Sequence, residues 1–217
     1  MKINKEIIFF FNEQFYQIDV NKLWIKHDTK SFYLKSDFND IDVYIDTKNF
    51  TIIPDVLFNQ ISESQKKDFL TSDHNQFIFF NHSIPNLSGQ LFWCAKKEEI
   101  DIIKEKIPNG NLNQLIKPML INDKSCELKY YLSNKFIYIS SFSEGQLKIA
   151  NRFAINNNDD ALYFILNSIK ESNLINADFK FSAHGLNKEK LISRLKAIFP
   201  NNEYNSHQEN DLNSIFK

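Results

Sequence analysis

Three consecutive β-strand patterns in the second half of the chain constrain its fold more than any other feature. They cover residues 127–132, 136–140 and 146–155. In the middle segment apolar side chains fall on both faces, a pattern that is typical of a strand covered on both sides. The connections Ser133-Asn134 and Ser143-Glu144-Gly145 have the composition of tight turns. Three strands joined by such turns predict an antiparallel meander.

A helix, a strand and a second helix follow the predicted meander. Asn158 is a good N-cap, and apolar residues then recur at helical spacing from Leu162 to Ile169. Residues 178–183 predict a strand, and a second helix ends before Pro200. The order strand, strand, strand, helix, strand, helix is the ribonuclease-H-like arrangement. In that arrangement the first helix returns the chain so that the fourth strand lies parallel to the first.

The first half repeats this theme with less regular patterns. Strand patterns cover residues 7–11, 15–20, 23–26, 43–46, 50–53, 77–80 and 91–95. Pro54 predicts a helix start, and Ser62 with Gln65 predicts a capping box for a continuation to residue 70. A charged helix contains Ile100, Ile103 and Ile107, and residues 112–121 form an apolar segment of either type.

The stretch 122–125 is the best candidate for a boundary between two halves. We therefore predict a first lobe at residues 1–121, a second lobe at 126–205 and a polar tail at 206–217. The tail carries Leu212, Ile215 and Phe216 at helical spacing. This pattern fits either a short docking helix or a frayed end with incidental apolar residues.

Composition and charge exclude several classes of protein. Lys plus Arg is 26 and Asp plus Glu is 27, a formal net charge of −1. No bulk positive field is available for phosphates, so we expect no nucleic-acid partner. Cys94 and Cys126 lie far apart without a CxxC pair, which agrees with a reducing compartment. No segment approaches the ~20 apolar residues of a membrane helix, so we expect a cytoplasmic protein without a membrane span.

Three apolar motifs resemble a bacterial family. They are Phe-Thr-Ile-Ile-Pro-Asp-Val-Leu-Phe at 50–58, Ala-Asp-Phe-Lys-Phe-Ser at 177–182 and Leu-Lys-Ala-Ile-Phe-Pro at 195–200. Together they resemble the domain-of-unknown-function family 3822, from about Val43 to the end. The resemblance implies an α+β protein with the actin-like ATPase fold, in which two tandem ribonuclease-H-like subdomains have mixed sheets and flanking helices. The family carries no assigned activity. Residues 31–40 depart from its pattern, because they are too few for the helix expected there.

The motifs that an actin-like ATPase needs are degraded in this sequence. Such an enzyme holds phosphates with acidic, Gly-containing hairpins whose backbone N–H groups surround the anion. The corresponding turns here, Asn12-Glu13-Gln14 and Ser133-Asn134, contain no Gly, and only Glu13 is acidic. The adenosine site would need a pair of Gly residues, whereas His184-Gly185 supplies one. We therefore expect no ATP hydrolysis and no cofactor.

A ribonuclease-H-like nuclease would instead gather carboxylates around divalent metals. Glu127, Asp160 and Asp178 are the candidates, but helix capping explains Asp160, and the other two lie near the starts of their strands. The histidines, His27, His74, His82, His184 and His207, show no spacing of metal ligands. The sequence therefore predicts no catalytic, cofactor-binding or metal-binding residue.

These observations favour a non-catalytic actin-like scaffold or protein-interaction module whose partners are proteins of unknown identity. This hypothesis rests on fold analogy and on motifs that are missing. The alternative is an enzyme, either a divergent nucleotide-binding phosphohydrolase or a ribonuclease-H-like nuclease. A third hypothesis is a fold relic with a small-molecule site.

Overall fold

A computed structural model describes residues 6–18, 24–32, 40–121, 125–175, 177–185 and 188–206. The protein is mixed α+β, as predicted, and divides into two compact units, Met1–Lys117 and Pro118–Lys217. Among the described residues, no helix is both long enough and apolar enough to cross a bilayer. The predicted lobe limits of 1–121, 126–205 and 206–217 stay a prediction.

The first unit contains two sheets. Its elements are β1 (Glu6–Phe11), β2 (Gln14–Ile18), β3 (Trp24–Asp28), β4 (Ile41–Ile45), β5 (Phe50–Pro54), α1 (Asp55–Phe58), α2 (Glu63–Asp68), β6 (Phe77–Ile84), β7 (Gly89–Lys96), α3 (Lys97–Lys106) and β8 (Asn111–Gln114). The five-stranded sheet has the order β3-β2-β1-β4-β8, and the three-stranded sheet has the order β5-β7-β6. The meander β1–β3 is antiparallel, whereas β1, β4 and β8 run parallel.

Aromatic side chains hold the first sheet together. Phe15 stacks on Phe32 with ring centroids 4.4 Å apart and lies 5.0 Å from Phe10, and all three rings are buried. The turn between β1 and β2 places Asn12 and Glu13 at positive φ, 50° and 56°. Two-residue hairpins require this left-handed backbone because it matches the twist of the strands.

The three-stranded sheet lies between β4 and β8 in the chain. Its central strand β7 is almost fully buried, and Phe80 of β6 stacks on Trp93 at 4.4 Å. Helix α3 buries Ile100 and Ile103, as the sequence predicted. The capping box of α2 is present: the Ser62 hydroxyl accepts from the Gln65 N–H at 3.3 Å, and the Gln65 side chain accepts from the Ser62 N–H at 2.8 Å.

The second unit contains one sheet with two helices. Its elements are β9 (Glu127–Leu132), β10 (Phe136–Ser143), β11 (Gln146–Ala154), α4 (Asn158–Glu171), β12 (Lys180–Gly185), α5 (Lys188–Ile198) and β13 (Glu203–Ser206). The strand order is β11-β10-β9-β12-β13. The meander β9–β11 is antiparallel, and β12 runs parallel to both β9 and β13. In each unit the third, second, first, fourth and fifth strands of its main sheet lie in this order, the arrangement that the ribonuclease-H-like prediction requires.

Several predicted boundaries differ from the structure. The N-cap of α4 is Asn157, one residue before the predicted Asn158. Strand β12 begins at Lys180 and ends at Gly185, two residues later than predicted. The apolar segment 112–121 contains the end of β8 and a 3₁₀ turn at Lys117–Leu120.

Strand β13 is an element that the sequence analysis missed, because residues 203–206 show no strand pattern. Only Tyr204 of Glu203–Ser206 is apolar, and its ring stacks on Phe181 of β12 with centroids 4.7 Å apart. Pairing with β12 therefore specifies this strand, not an alternating pattern of its own. The Leu212, Ile215 and Phe216 pattern, residues 122–124 and most of the segment 31–40 lie outside the described residues.

Candidate functional site

A pocket of about 540 Å³ lies in the second unit, where the parallel strands β9 and β12 end. The carboxyl ends of parallel strands are the usual location of ligand sites in such sheets. Three segments line the pocket: the β9–β10 turn, the start of α4 and the first turn of α5. The lining residues are Leu132, Ser133, Asn134, Ile155, Asn156, Asn157, Asn158, Glu189 and Lys190.

The β9–β10 turn is one of the two hairpins that the sequence analysis compared with phosphate loops. The Ser133 N–H donates to the Phe136 carbonyl at 2.9 Å, and the Lys135 N–H donates to the Ser133 hydroxyl at 3.4 Å. These two backbone donors are therefore satisfied within the turn itself. An anion in the pocket would have to displace them.

The start of α4 is satisfied in the same way. The Asn157 side chain accepts from the N–H groups of Asp159 at 2.7 Å and Asp160 at 3.0 Å. The Asn156 N–H donates to the Asp160 carboxylate at 2.7 Å. The first N–H groups of a helix are its natural anion-binding donors. Here the Asn157 side-chain oxygen binds two of those helix donors, and the Asp160 carboxylate binds the N–H that precedes the cap.

Gly185 forms the corner between β12 and α5. Its φ is +95°, and a Cβ atom built on it would lie 2.0 Å from the Leu132 carbonyl oxygen. Only glycine permits β12 to approach the end of β9 so closely. The single Gly of His184-Gly185 thus has a packing role against Leu132, one of the residues that line the pocket.

One buried and two exposed charged residues begin α5. Lys188 is 1 % exposed, and its ammonium lies 3.5 Å from the Gly185 carbonyl oxygen, to which it donates. The next two residues, Glu189 and Lys190, are exposed and carry opposite charges into the pocket lining. Asp159 forms an ion pair with Arg194 at 2.5 Å, and the charge of Lys190 opposes those of Glu189 and Asp160, so this end of the sheet carries charges of both signs.

Three carboxylates of the first unit lie near the β1–β2 turn. Burial raises the pKa of Glu99, in the first turn of α3, and the charges of Asp46 and Glu13 raise it further, whereas Lys96 opposes them. Asp46 directly follows β4, and Glu13 lies in the β1–β2 turn. The fold thus brings Glu13 and Asp46 into electrostatic range of Glu99, although these residues lie far apart in the sequence. Sequence reasoning singled out only Glu13.

The proposed nuclease carboxylates have structural contacts. Glu127 accepts from the Ser182 hydroxyl and lies 3.3 Å from the Lys129 ammonium. Asp160 accepts from the Asn156 N–H, and Asp178 precedes β12 by two residues. Within the described part of the chain, no group of three His, Cys, Asp or Glu residues is placed to hold a metal ion.

The described histidines lie in separate places. His74 Nε2 lies 2.9 Å from an Asp68 carboxylate oxygen, and the His27 ring lies edge-on to Phe32 at 5.2 Å. His82 Nδ1 accepts from the Trp93 indole N–H at 3.4 Å. His184 is buried in β12, and His207 lies outside the described residues.

Sequence reasoning missed most of the pocket lining. A usable signal was present in the run Asn156-Asn157-Asn158, where three amides follow an apolar strand and begin a helix. Glu189 and Lys190 gave no signal, because alternating charges on a helix normally form a solvated face.

The sequence matches a family model described as "Protein of unknown function (DUF3822)" over residues 2–202. The chain belongs to this family. The resemblance predicted from the motifs at 50–58, 177–182 and 195–200 is therefore confirmed. No curated protein sequence matches this member of family 3822.

Solved structures share the fold of this family 3822 protein. A Bacteroides thetaiotaomicron VPI-5482 protein, described as having an actin-like ATPase fold and unknown function, aligns with a TM-score of 0.71 and 18 % identity over 95 % of this chain and 91 % of that one. A PilM-PilN type IV pilus biogenesis complex aligns with a TM-score of 0.57 and 7 % identity, covering 92 % and 87 % of the two chains. The cytoplasmic domain of EpsL, an inner-membrane component of the type II secretion system of Vibrio cholerae, has a TM-score of 0.49 and 7 % identity, with 82 % and 81 % covered. The predicted actin-like ATPase fold is thus confirmed.

Proposed function

We propose that this family 3822 protein is a non-catalytic protein-interaction module of the cytoplasm, built on the actin-like ATPase fold. The observation that carries the proposal is that four backbone N–H groups around the pocket already donate to acceptors within the chain. The N–H groups of Ser133, Lys135, Asp159 and Asp160 all donate to acceptors of the chain itself. A phosphate-binding site keeps such donors for its ligand.

The charges at the same two places support the proposal. In the first unit, Glu13, Asp46 and Glu99 would repel a polyphosphate that arrived without a cation, and in the second unit Asp160 and Glu189 oppose the attraction of Lys190. The raised pKa of Glu99 reports this repulsion together with burial. A fold that keeps its sheets while its hairpins lose the anion-binding groups fits a role in binding proteins.

A structural neighbour also supports a protein partner. The PilM-PilN complex, by its description, is an assembly that functions in type IV pilus biogenesis. Its fold likeness extends over 92 % of this chain. From this neighbour we take only the general expectation that a protein of this fold binds another protein.

The test is thermal melting of the purified chain with and without magnesium–ATP and magnesium–ADP. We expect no change in the melting temperature and no phosphate release above that of buffer. A ligand at about 100 times its Kd would stabilise the chain by about 2.7 kcal/mol, which is a shift of several degrees. An actin-like ATPase of known activity serves as the positive control. A reproducible shift of that size would contradict the proposal.

A second experiment tests the partner. Cross-linking of the tagged chain in the cells that produce it, followed by reconstitution with each purified candidate, should give a stable complex. If no candidate binds the purified chain, the interaction role fails even when the nucleotide test gives the expected result.

The alternative is a divergent nucleotide-binding phosphohydrolase, and the position of the pocket favours it. The pocket lies at the carboxyl ends of β9 and β12, where ligands of such sheets bind. The melting experiment separates the two functions, because only the phosphohydrolase should be stabilised by the nucleotide.

A further inference from the structure

The edges of the three described sheets differ in how they are protected against pairing with another chain. A bare edge presents unpaired N–H and C=O groups, and proteins protect it with charges, proline, bulges or a short strand. Six strands form these edges: β3 and β8, β5 and β6, and β11 and β13.

Five of the six edge strands carry such protection. Strand β3 contains Lys26 and Asp28, and β11 contains Lys148 and Arg152. Strands β8 and β13 have four residues each, and β5 has five residues, the last of which is Pro54.

Strand β6 lacks every one of these features. It has eight residues, Phe-Ile-Phe-Phe-Asn-His-Ser-Ile, without Lys, Arg, Asp, Glu or Pro. Its register with β7 is regular from Phe77 opposite Lys96 to Ile84 opposite Gly89. His82 is neutral at pH 7, because burial and Lys117 lower its pKa to about 4 although Asp42 opposes them. At about 3.4 Å per residue the strand offers roughly 27 Å of regular edge.

Aromatic contacts anchor β6 to β7. Phe80 stacks on Trp93 at 4.4 Å, and Phe79 lies parallel to Phe92 at 6.0 Å. Asn81 and Ser83 are exposed. Among the described strands, β7 alone pairs with β6. The edge is thus a preformed template, and its pairing with another strand requires little ordering.

We propose that β6 pairs antiparallel with β6 of a second copy of this chain, which joins the two three-stranded sheets across a twofold axis perpendicular to them. A twofold interface brings a strand against its own copy, so a charged residue near the axis would face a like charge. The uncharged sequence of β6 is compatible with such self-pairing.

The proposed twofold axis also keeps the apolar side chains of the two copies on the same face of the joined sheet. An axis perpendicular to the sheet leaves each face continuous, so Ile78, Phe80 and Ile84 of one copy extend the same face of the other. Aromatic and β-branched cross-strand pairs are among the stabilising ones. A different partner strand would need no such self-compatibility, and the experiment below separates the two cases.

The test is the molar mass of the purified full chain, measured by light scattering or sedimentation over roughly two orders of magnitude in concentration. We expect a dimer that dissociates on dilution. Asn81→Lys with Ser83→Lys places on the edge the residue that proteins use to prevent pairing, and should weaken the dimer at least about tenfold. Asn109→Lys adds a charge at an exposed turn residue and should leave the dimer unchanged.

Hydrogen exchange locates the interface and checks the fold. Amides of residues 77–84 should exchange more slowly at high than at low concentration in the wild type, and equally at both in the double variant. Circular dichroism of the variant must match that of the wild type. A monomer at every concentration, a dimer that the double variant keeps, or protection at another segment would each overturn the proposal. Binding of a different protein at β6 without self-association would overturn it in favour of that partner.

Discussion

His82 shows how burial sets the chemistry of a single residue. Its Nδ1 accepts from the Trp93 indole N–H at 3.4 Å, which requires that this nitrogen carry no proton. Burial is the largest cause that lowers its pKa to about 4, the positive charge of Lys117 is the second, and Asp42 acts in the opposite direction. The ring is therefore neutral in the folded protein at pH 7, whereas an unfolded His titrates near 6.5.

We predict that acidification destabilises the chain through His82. Between about pH 6.5 and pH 4 the unfolded chain binds a proton that the folded chain does not, so stability falls as the pH falls and levels off below pH 4. Because the ring is partly exposed, the loss should be about 1 kcal/mol at pH 5. Urea denaturation at pH 7 and pH 5 measures it.

The control is His82→Gln, which keeps an acceptor for Trp93 but does not titrate. We expect a smaller difference in the free energy of unfolding between the two pH values in this variant. An equal difference in wild type and variant would show that other groups cause the pH dependence.

At the scale of elements, the start of α4 shows that moving a helix boundary by one residue changes which of two asparagines caps the helix. Asn157 has the extended backbone of an N-cap, with φ −158° and ψ 179°, and its side chain accepts two helix N–H groups. Asn158 is the first helical residue. The two neighbours have the same side chain, so only the backbone conformation distinguishes them.

We predict that Asn157→Ala lowers the free energy of unfolding by about 1 kcal/mol, because two N–H groups lose their acceptor. Asn158→Ala should change it by a few tenths of a kcal/mol at most, since Ala is a good helix former. Denaturation with urea of the two single variants gives the comparison. A larger loss from Asn158→Ala would contradict the assignment of the cap.

At the scale of the whole molecule, the second unit has a hydrophobic core of its own. In the second unit α4 and α5 bury Ile165, Ile169, Leu191 and Leu195 against β9, β10 and β12. In the first unit the buried residues include Phe9, Phe10, Phe15 and Trp93. Destabilisation of this second-unit core should therefore speed hydrogen exchange mainly within that unit.

We predict that Gly185→Ala speeds hydrogen exchange in β9–β13 and leaves it much less changed in β1–β8. The new Cβ atom would meet the Leu132 carbonyl at 2.0 Å with φ at +95°, so the cost should exceed the ~1–2 kcal/mol of a left-handed Ala alone. Gly145→Ala is the matched control, because Gly145 has φ +76° but no part in that contact. Uniform acceleration in both units would show that they unfold as one.

The sequence by itself determined the features that depend on neighbouring residues. The strand at 127–132 was predicted with its observed bounds, and the turns before and after β10, the capping box of Ser62 and the Ile100–Ile103 face of α3 all followed from local patterns. Periodicity, turn composition and capping act over a few residues, so a single sequence displays them. The α+β class and the position of β12 parallel to β9, beside the meander β9–β11, followed from the order of those elements.

Only the tertiary structure decided the features that depend on distant partners. Strand β13 exists because Tyr204 and its neighbours pair with β12, although its four residues lack an alternating pattern. The pocket lining joins residues 132–134, 155–158 and 189–190, and Glu99 meets the charges of Glu13 and Asp46. The position of β6 at the edge of its sheet likewise becomes visible once the strand order is known. These features arise from packing and pairing between segments far apart in the chain, and local side-chain patterns do not encode them individually.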